Sequence, residues 1–189
     1  MIFQAVEFAA AAHRGHYRKG SRTPYLIHPL RVCQLLVEAG CDEDLAVAGI
    51  LHDTVEDTQV TLEEIREAFG PRVAQLVQGA SEPDKRDTWE NRKNHTLRYL
   101  ETAEQDVLCL SCADKLDNLR SLREDVAREG EQAWTRFKRG RDHQQWYYES
   151  LSAVFERRLA SDAGHYLLRL YRAELRTVFH NGRSHAAAS

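Results

Sequence analysis

Apolar residues recur three and four positions apart along almost the whole chain, and strict strand-like alternation persists over no convincing window. That period predicts an all-α fold. Ile2, Val6, Ala9, Ala10 and His13 share one face of a first helix that ends near Gly15. A polar stretch, His16 to Thr23, follows. Pro29 suits the first position of a second helix, placing His28 at its entrance, with Leu30, Cys33, Leu36 and Val37 facing inward until Gly40. The segment Asp44 to Asp53 is apolar on all sides between polar ends, the pattern of a helix enclosed by others.

Thr61 and Glu64 match a capping box, Leu62, Ile65 and Phe69 form an inward stripe, and Gly70-Pro71 separates this helix from the next. Ser81 to Thr88 reads as a loop, Trp89 to Glu101 as a helix. Val107 to Arg123 predicts a strong helix with Cys109, Ala113, Leu116 and Leu119 inward and with Asp114 and Asn118 one turn apart. Two more helices are expected around Gln144 to Ala160 and Asp162 to Phe179. No repeat or linker divides the chain, so residues 1–180 are expected to form one domain and residues 181–189 a C-terminal tail.

Length and charge narrow the class. A chain of 189 residues suits one domain with a sizeable core. A net charge of −3 lacks the basic surplus of a general nucleic-acid binder. No apolar run approaches the roughly 20 residues that span a bilayer, and the N-terminus lacks a secretory pattern. Cys33, Cys41, Cys109 and Cys112 lie among apolar residues and offer no second zinc-finger pair, so buried free thiols and a cytoplasmic location are expected.

The chemistry gathers around His52-Asp53. A buried carboxylate needs a partner, and a bound cation is a suitable one. Alone, the dipeptide has a plainer reading in which His52 and Asp53 satisfy each other and nearby backbone. His28 at a helix start and Asp114 on an otherwise apolar helix extend it to two imidazoles and two carboxylates, a ligand set suited to manganese, iron or zinc more than calcium. Glu56 and Asp57 follow His52 and Asp53 by one turn and are candidates for steering or deprotonating water. By themselves they also read as a solvated helix end. Arg14, Arg18, Lys19 and Arg22 precede His28, where cations fit phosphate recognition, although a bare charge run also reads as solvated surface.

Taken together, His13-Arg-Gly-His-Tyr-Arg18-Lys19, Pro24-Tyr25-Leu-Ile-His28-Pro29, Leu51-His52-Asp53-Thr-Val-Glu56-Asp57-Thr58, Phe69-Gly70 and Ala113-Asp114-Lys115-Leu-Asp-Asn118-Leu119-Arg120 resemble the HD-type hydrolase domain of RelA/SpoT proteins. The resemblance is clear over residues 1 to 125 and looser beyond. The chain has no room for the synthetase and regulatory domains of long members, so it is similar to the small alarmone hydrolases, bacterial and metazoan.

The resemblance implies an HD-domain helical fold and a metal-dependent guanosine-3′,5′-bis(diphosphate) 3′-pyrophosphohydrolase. Metal-bound water would attack the 3′-diphosphate of ppGpp or pppGpp and release pyrophosphate. It places Mn2+ on His28, His52, Asp53 and Asp114, water activation on Glu56 and Asp57, and nucleotide contacts on Arg18, Lys19 and Asn118. The expected partner is a small nucleotide, with no nucleic acid and no membrane; a homo-oligomer is compatible with the sequence. Ser111-Cys112 and Asp117 depart from the family pattern and bear on substrate preference. Two alternatives stay open: an HD phosphohydrolase for another nucleotide, such as an adenosine alarmone or NADPH, and a silent nucleotide-binding or antitoxin-like module.

Overall fold

The computed structural model describes residues 1–18, 20–81 and 87–180, and among these every regular element is helical. There are ten α-helices and one 3₁₀ segment. The all-α reading therefore holds. The tail from 181 onward and Lys19 lie outside the described residues, as does most of the loop expected between Ser81 and Thr88.

Helix α1 (Ile2–Ala12) leads through the polar stretch to α2 (Ile27–Glu38), and α3 (Glu43–Leu51) packs back across α2. Asp42 caps α3, its Oδ1 accepting from the Leu45 amide at 3.0 Å. All residues from Leu45 to Leu51 are buried, as expected for a helix surrounded by others. The crossing is close because of Gly49: a Cβ there would lie 2.7 Å from Leu36 Cδ1.

A short α4 (Thr54–Asp57) follows directly. Helix α5 (Leu62–Phe69) carries the expected capping box, with Thr61 Oγ1 accepting from the Glu64 amide and Glu64 Oε2 accepting from the Thr61 amide. Gly70, at φ +91°, turns the chain in a conformation that glycine adopts without penalty, and Pro71 opens α6 (Pro71–Ala80).

Helix α7 (Trp89–Leu100) begins at a Thr88 cap, and α8 (Gln105–Glu129) then runs 25 residues through the centre. It packs against α2, α3, α6, the 3₁₀ segment Gly130–Arg136, α9 (Gly140–Arg158) and α10 (Asp162–Phe179). No helix of the described residues is long and apolar enough to cross a membrane.

Three local expectations are corrected. Helix α2 starts two residues before Pro29, so proline occupies its third position; the first-turn amides lack intrahelical acceptors, which makes that position tolerable too. Val37 is 52% exposed, and Leu35 takes the inward place beside Val32 and Leu36. Helix α8 continues to Glu129, more than a turn beyond Arg123, because Val126 in that polar continuation still packs against the core, until Gly130 at φ +60° stops it.

Candidate metal and nucleotide site

The centre of the site is a break in the helix. After Leu51 the chain turns through His52 and Asp53 before α4 resumes. The His52 ring donates from Nδ1 to the Gly49 carbonyl at 2.9 Å, an oxygen that an uninterrupted helix would offer to the Asp53 amide. Thr54 Oγ1 likewise donates to the Leu51 carbonyl at 2.6 Å. These local side-chain bonds compete with helix propagation. The resulting bend leaves His52 Nε2 directed at Asp53, 3.1 Å from its Oδ2.

Helices α2 and α8 complete the cluster. His28 Nε2 lies 3.2 Å from Asp114 Oδ1 and 3.5 Å from Asp53 Oδ2, and the two imidazole rings stand 5.2 Å apart at 70°. His52 Nε2 is 3.9 Å from Asp114 Oδ1. Ligand-capable atoms of His28, His52 and Asp114 all fall within 4.8 Å of one another, and all three residues are buried. The structure thus brings together all four residues of the expected ligand set.

The donor chemistry fits a divalent cation. His52 Nε2 is buried without a hydrogen-bond partner among the described residues, and two carboxylates face two imidazoles in a small volume. Burial opposes charge on His52, yet the carboxylates of Asp53 and Asp114 outweigh it and push its pKa up to about 9. Burial also opposes ionisation of Asp114, but Lys115, His28 and His52 hold its carboxyl well below the usual range. Two nitrogen and two oxygen donors leave coordination positions for water and substrate.

Both carboxylate oxygens of Asp114 are held by neighbours on its own helix. Asn118 Nδ2 donates to its Oδ1 at 2.6 Å, and Lys115 Nζ lies 2.7 Å from its Oδ2. Beyond Asn118 opens a cavity of about 260 Å³ whose lining includes Arg18, His28, Asn118, Ser121, Arg136 and Tyr148. Arg18 enters it from the loop before α2 and donates to Asn118 Oδ1 at 3.2 Å and to Ser121 Oγ at 2.6 Å. A guanidinium lining a cavity next to the four-residue cluster suits a phosphorylated ligand.

The other sequence candidates lie farther out. Glu56 is half-buried on α4, and Asp57 is exposed and lines a separate shallow cleft with His16 and Glu64. Arg14 and Arg22 are exposed and are absent from the lining of the Arg18 cavity. Lys19 lies outside the described residues. Sequence reasoning gave no role to Tyr25, which donates to Asp53 Oδ2 at 2.5 Å, and marked Asp117 only as a departure from the family pattern; Asp117 Oδ2 is 2.7 Å from His28 Nδ1. The signal for Asp117 was an acid among the apolar positions of α8. Tyr25 offered only its place in the stretch before His28.

A family model described as an HD domain matches residues 5–144. The chain belongs to the HD-domain family. Within that family it groups with small alarmone hydrolases of the MESH1 type. Proteins named guanosine-3′,5′-bis(diphosphate) 3′-pyrophosphohydrolase MESH1 from Danio rerio and Xenopus tropicalis are 37% and 40% identical, the matches covering 65% of this chain and 69% and 70% of theirs. A guanosine-3′,5′-bis(diphosphate) 3′-pyrophosphohydrolase of Aquifex aeolicus is 43% identical over 64% of this chain, which spans only 18% of that longer protein. Two solved structures superpose with TM-scores of 0.74. A Listeria monocytogenes protein is 39% identical and covers 80% of this chain, 98% of its own length being matched. A metazoan orthologue of SpoT, described as hydrolysing ppGpp, is 28% identical, with 91% of this chain and 94% of its own covered.

Proposed function

We propose that this chain is a metal-dependent (p)ppGpp 3′-pyrophosphohydrolase of the cytoplasm, with residues 1–180 as its hydrolase domain and Mn2+ as its metal. The observation that carries the reading is the convergence of His28 Nε2, His52 Nε2, Asp53 and Asp114 beside the Arg18 cavity. The MESH1 relatives support the substrate, since they bear that activity in their names and share over a third of their matched residues with this chain.

His28, His52, Asp53 and Asp114 would hold the cation. When bound, a divalent cation supplies Lewis-acid polarisation of water and of phosphate oxygens. The remaining steps belong to the chain. Arg18 exchanges its contacts with Asn118 and Ser121 for the nucleotide's phosphates, and Lys19 and Asn118 join it in holding the nucleotide. Glu56, with Asp57 beside it, accepts the proton of the attacking water. Water adds to the phosphorus attached to the 3′ oxygen; the bond between that oxygen and phosphorus breaks, the departing oxygen takes up a proton from Glu56 or solvent to become the ribose hydroxyl, and the two phosphates, now carrying the water oxygen, are released as pyrophosphate.

The test is pyrophosphate release from ppGpp by the purified chain, with Mn2+, Zn2+, Mg2+ or a chelator present, and with pppGpp, an adenosine alarmone and NADPH run in parallel. The expected result is Mn2+-supported turnover of the guanine compounds, lost on chelation. Preferential turnover of another nucleotide would reassign the substrate; metal-independent release, or none, would refute the reading.

A further inference from the structure

The two histidines of the cluster are anchored differently. His52 donates from Nδ1 to a backbone carbonyl, that of Gly49. His28 instead faces a carboxylate, Asp117 Oδ2, at 2.7 Å. Asp117 sits on α8 three residues after Asp114 and is fully buried. Burying a carboxylate costs much unless cations or donors surround it. Here the same Oδ2 is also 3.4 Å from Arg18 Nη2, and Arg31 Nη1 approaches Oδ1 at 3.8 Å. That Oδ1 has no hydrogen-bond partner among the described residues.

One oxygen thus touches both halves of the site: the imidazole that faces the cation position and the guanidinium that faces the nucleotide cavity. A carboxylate on the far nitrogen of a ligating histidine fixes the ring's orientation and tautomer and makes the near nitrogen a better donor.

We propose that Asp117 is a positioning residue that holds His28 with Nε2 toward the metal and links that ligand to the nucleotide-binding Arg18. The proposal rests on the metal site described under Proposed function. Asp117 borders the Arg18 cavity but is fully buried, and it acts through its two neighbours. Arg18 is already partnered by Asn118 and Ser121, so Asp117 is the smaller part of its support. Among the described residues no other hydrogen-bond partner is recorded for His28 Nδ1, so there Asp117 is the principal support.

The experiment measures Mn2+ affinity directly, from the electron paramagnetic resonance signal of free Mn2+, for wild type, His28→Ala, Asp117→Ala, Asp117→Asn and Ser121→Ala, with melting temperatures alongside. Asp117→Ala should weaken Mn2+ by roughly 10- to 100-fold, and raising Mn2+ should restore part of its lost turnover. Asp117→Asn, whose amide oxygen can still accept from Nδ1 but carries no charge, should fall between Asp117→Ala and wild type. Ser121→Ala, which removes an Arg18 partner without touching His28, should bind Mn2+ as wild type does. Wild-type affinity in Asp117→Ala, or in Asp117→Asn should the alanine variant fail to fold, overturns the proposal, as does equal weakening in Ser121→Ala. A wild type that binds no Mn2+, or a His28→Ala variant that binds it normally, would instead overturn the metal site itself.

Discussion

The phenol of Tyr25 donates to Asp53 Oδ2 at 2.5 Å, joining the loop before α2 to the bend after α3. Burial, then the neighbouring Asp53 charge, raises the Tyr25 pKa far above its ordinary value, so the hydroxyl stays a donor at any working pH. Tyr25→Phe removes a charge-assisted bond and leaves Asp53 Oδ2 to the imidazoles of His52 and His28. The metal-free variant should lose about 1.5 to 3 kcal/mol of stability, measured by urea unfolding in the presence of a chelator. An unchanged midpoint would mean that water replaces the phenol at no cost.

His52→Ala and Asp53→Ala should each abolish metal-dependent turnover while leaving a helical protein, because the bend they occupy is enclosed by buried residues of α2, α3 and α8. Calorimetric titration with Mn2+ and far-ultraviolet circular dichroism give the two readouts. Normal metal uptake by either variant would remove that residue from the ligand set.

Glu56→Gln preserves shape but cannot accept a proton. It should keep the metal and lose roughly 10²- to 10⁴-fold in kcat. A variant with normal kcat but a much higher KM would make Glu56 a binding residue instead.

Arg18 differs in one respect from the expectation for a residue in a polar stretch. It is half-buried and bonded to Asn118 and Ser121 on α8, so it pins the loop as well as facing the cavity. Arg18→Ala should lower kcat/KM by roughly tenfold or more and should also lower the melting temperature, since about 0.5 to 1.5 kcal/mol accompanies each lost hydrogen bond. Steady-state kinetics and thermal melts with Mn2+ present test both; an unmoved kcat/KM with a lower melting temperature would leave Arg18 as a fastener only.

Asp42 offers a pH test remote from the cavity. Its hydrogen bond from Arg72, opposed by slight burial and aided by the Leu45 amide, lowers its pKa below 3.8. A carboxyl depressed on folding stabilises the protein above its unfolded pKa, and that contribution fades as pH falls through the folded value. Asp42→Ala should cost about 1 kcal/mol at neutral pH, as for a lost helix cap. The gap in urea midpoint between Asp42→Ala and wild type should hold from pH 7 to about pH 4 and narrow only as pH falls further; a gap unchanged however far the pH is lowered would show that its charge is irrelevant.

The helices and the cluster were legible because each carries a local signature. The capping box at Thr61 and Glu64, the wholly apolar Leu45 to Leu51 and the Pro71 start all express bonds made within a few residues. His28, His52, Asp53 and Asp114 stood out because ionisable groups among apolar neighbours need an explanation. What stayed hidden depends on contacts between distant segments. Nothing local shows that Arg18 meets Ser121 across 103 positions or that Tyr25 meets Asp53. Asp117 was visible as an odd residue, but its partner emerges only when α2 lies against α8.

The bend at His52 ties chemistry to backbone shape. The ring that faces the cluster also claims the Gly49 carbonyl. A descendant that gave up catalysis and put leucine at position 52 would hand that oxygen back to the Asp53 amide, and α3 and α4 could merge into one straight rod. Loss of activity in this lineage should therefore leave a fossil in the main chain, readable as slowed hydrogen exchange at the Asp53 amide; an amide that exchanges as fast as before would show that the bend persists without its histidine.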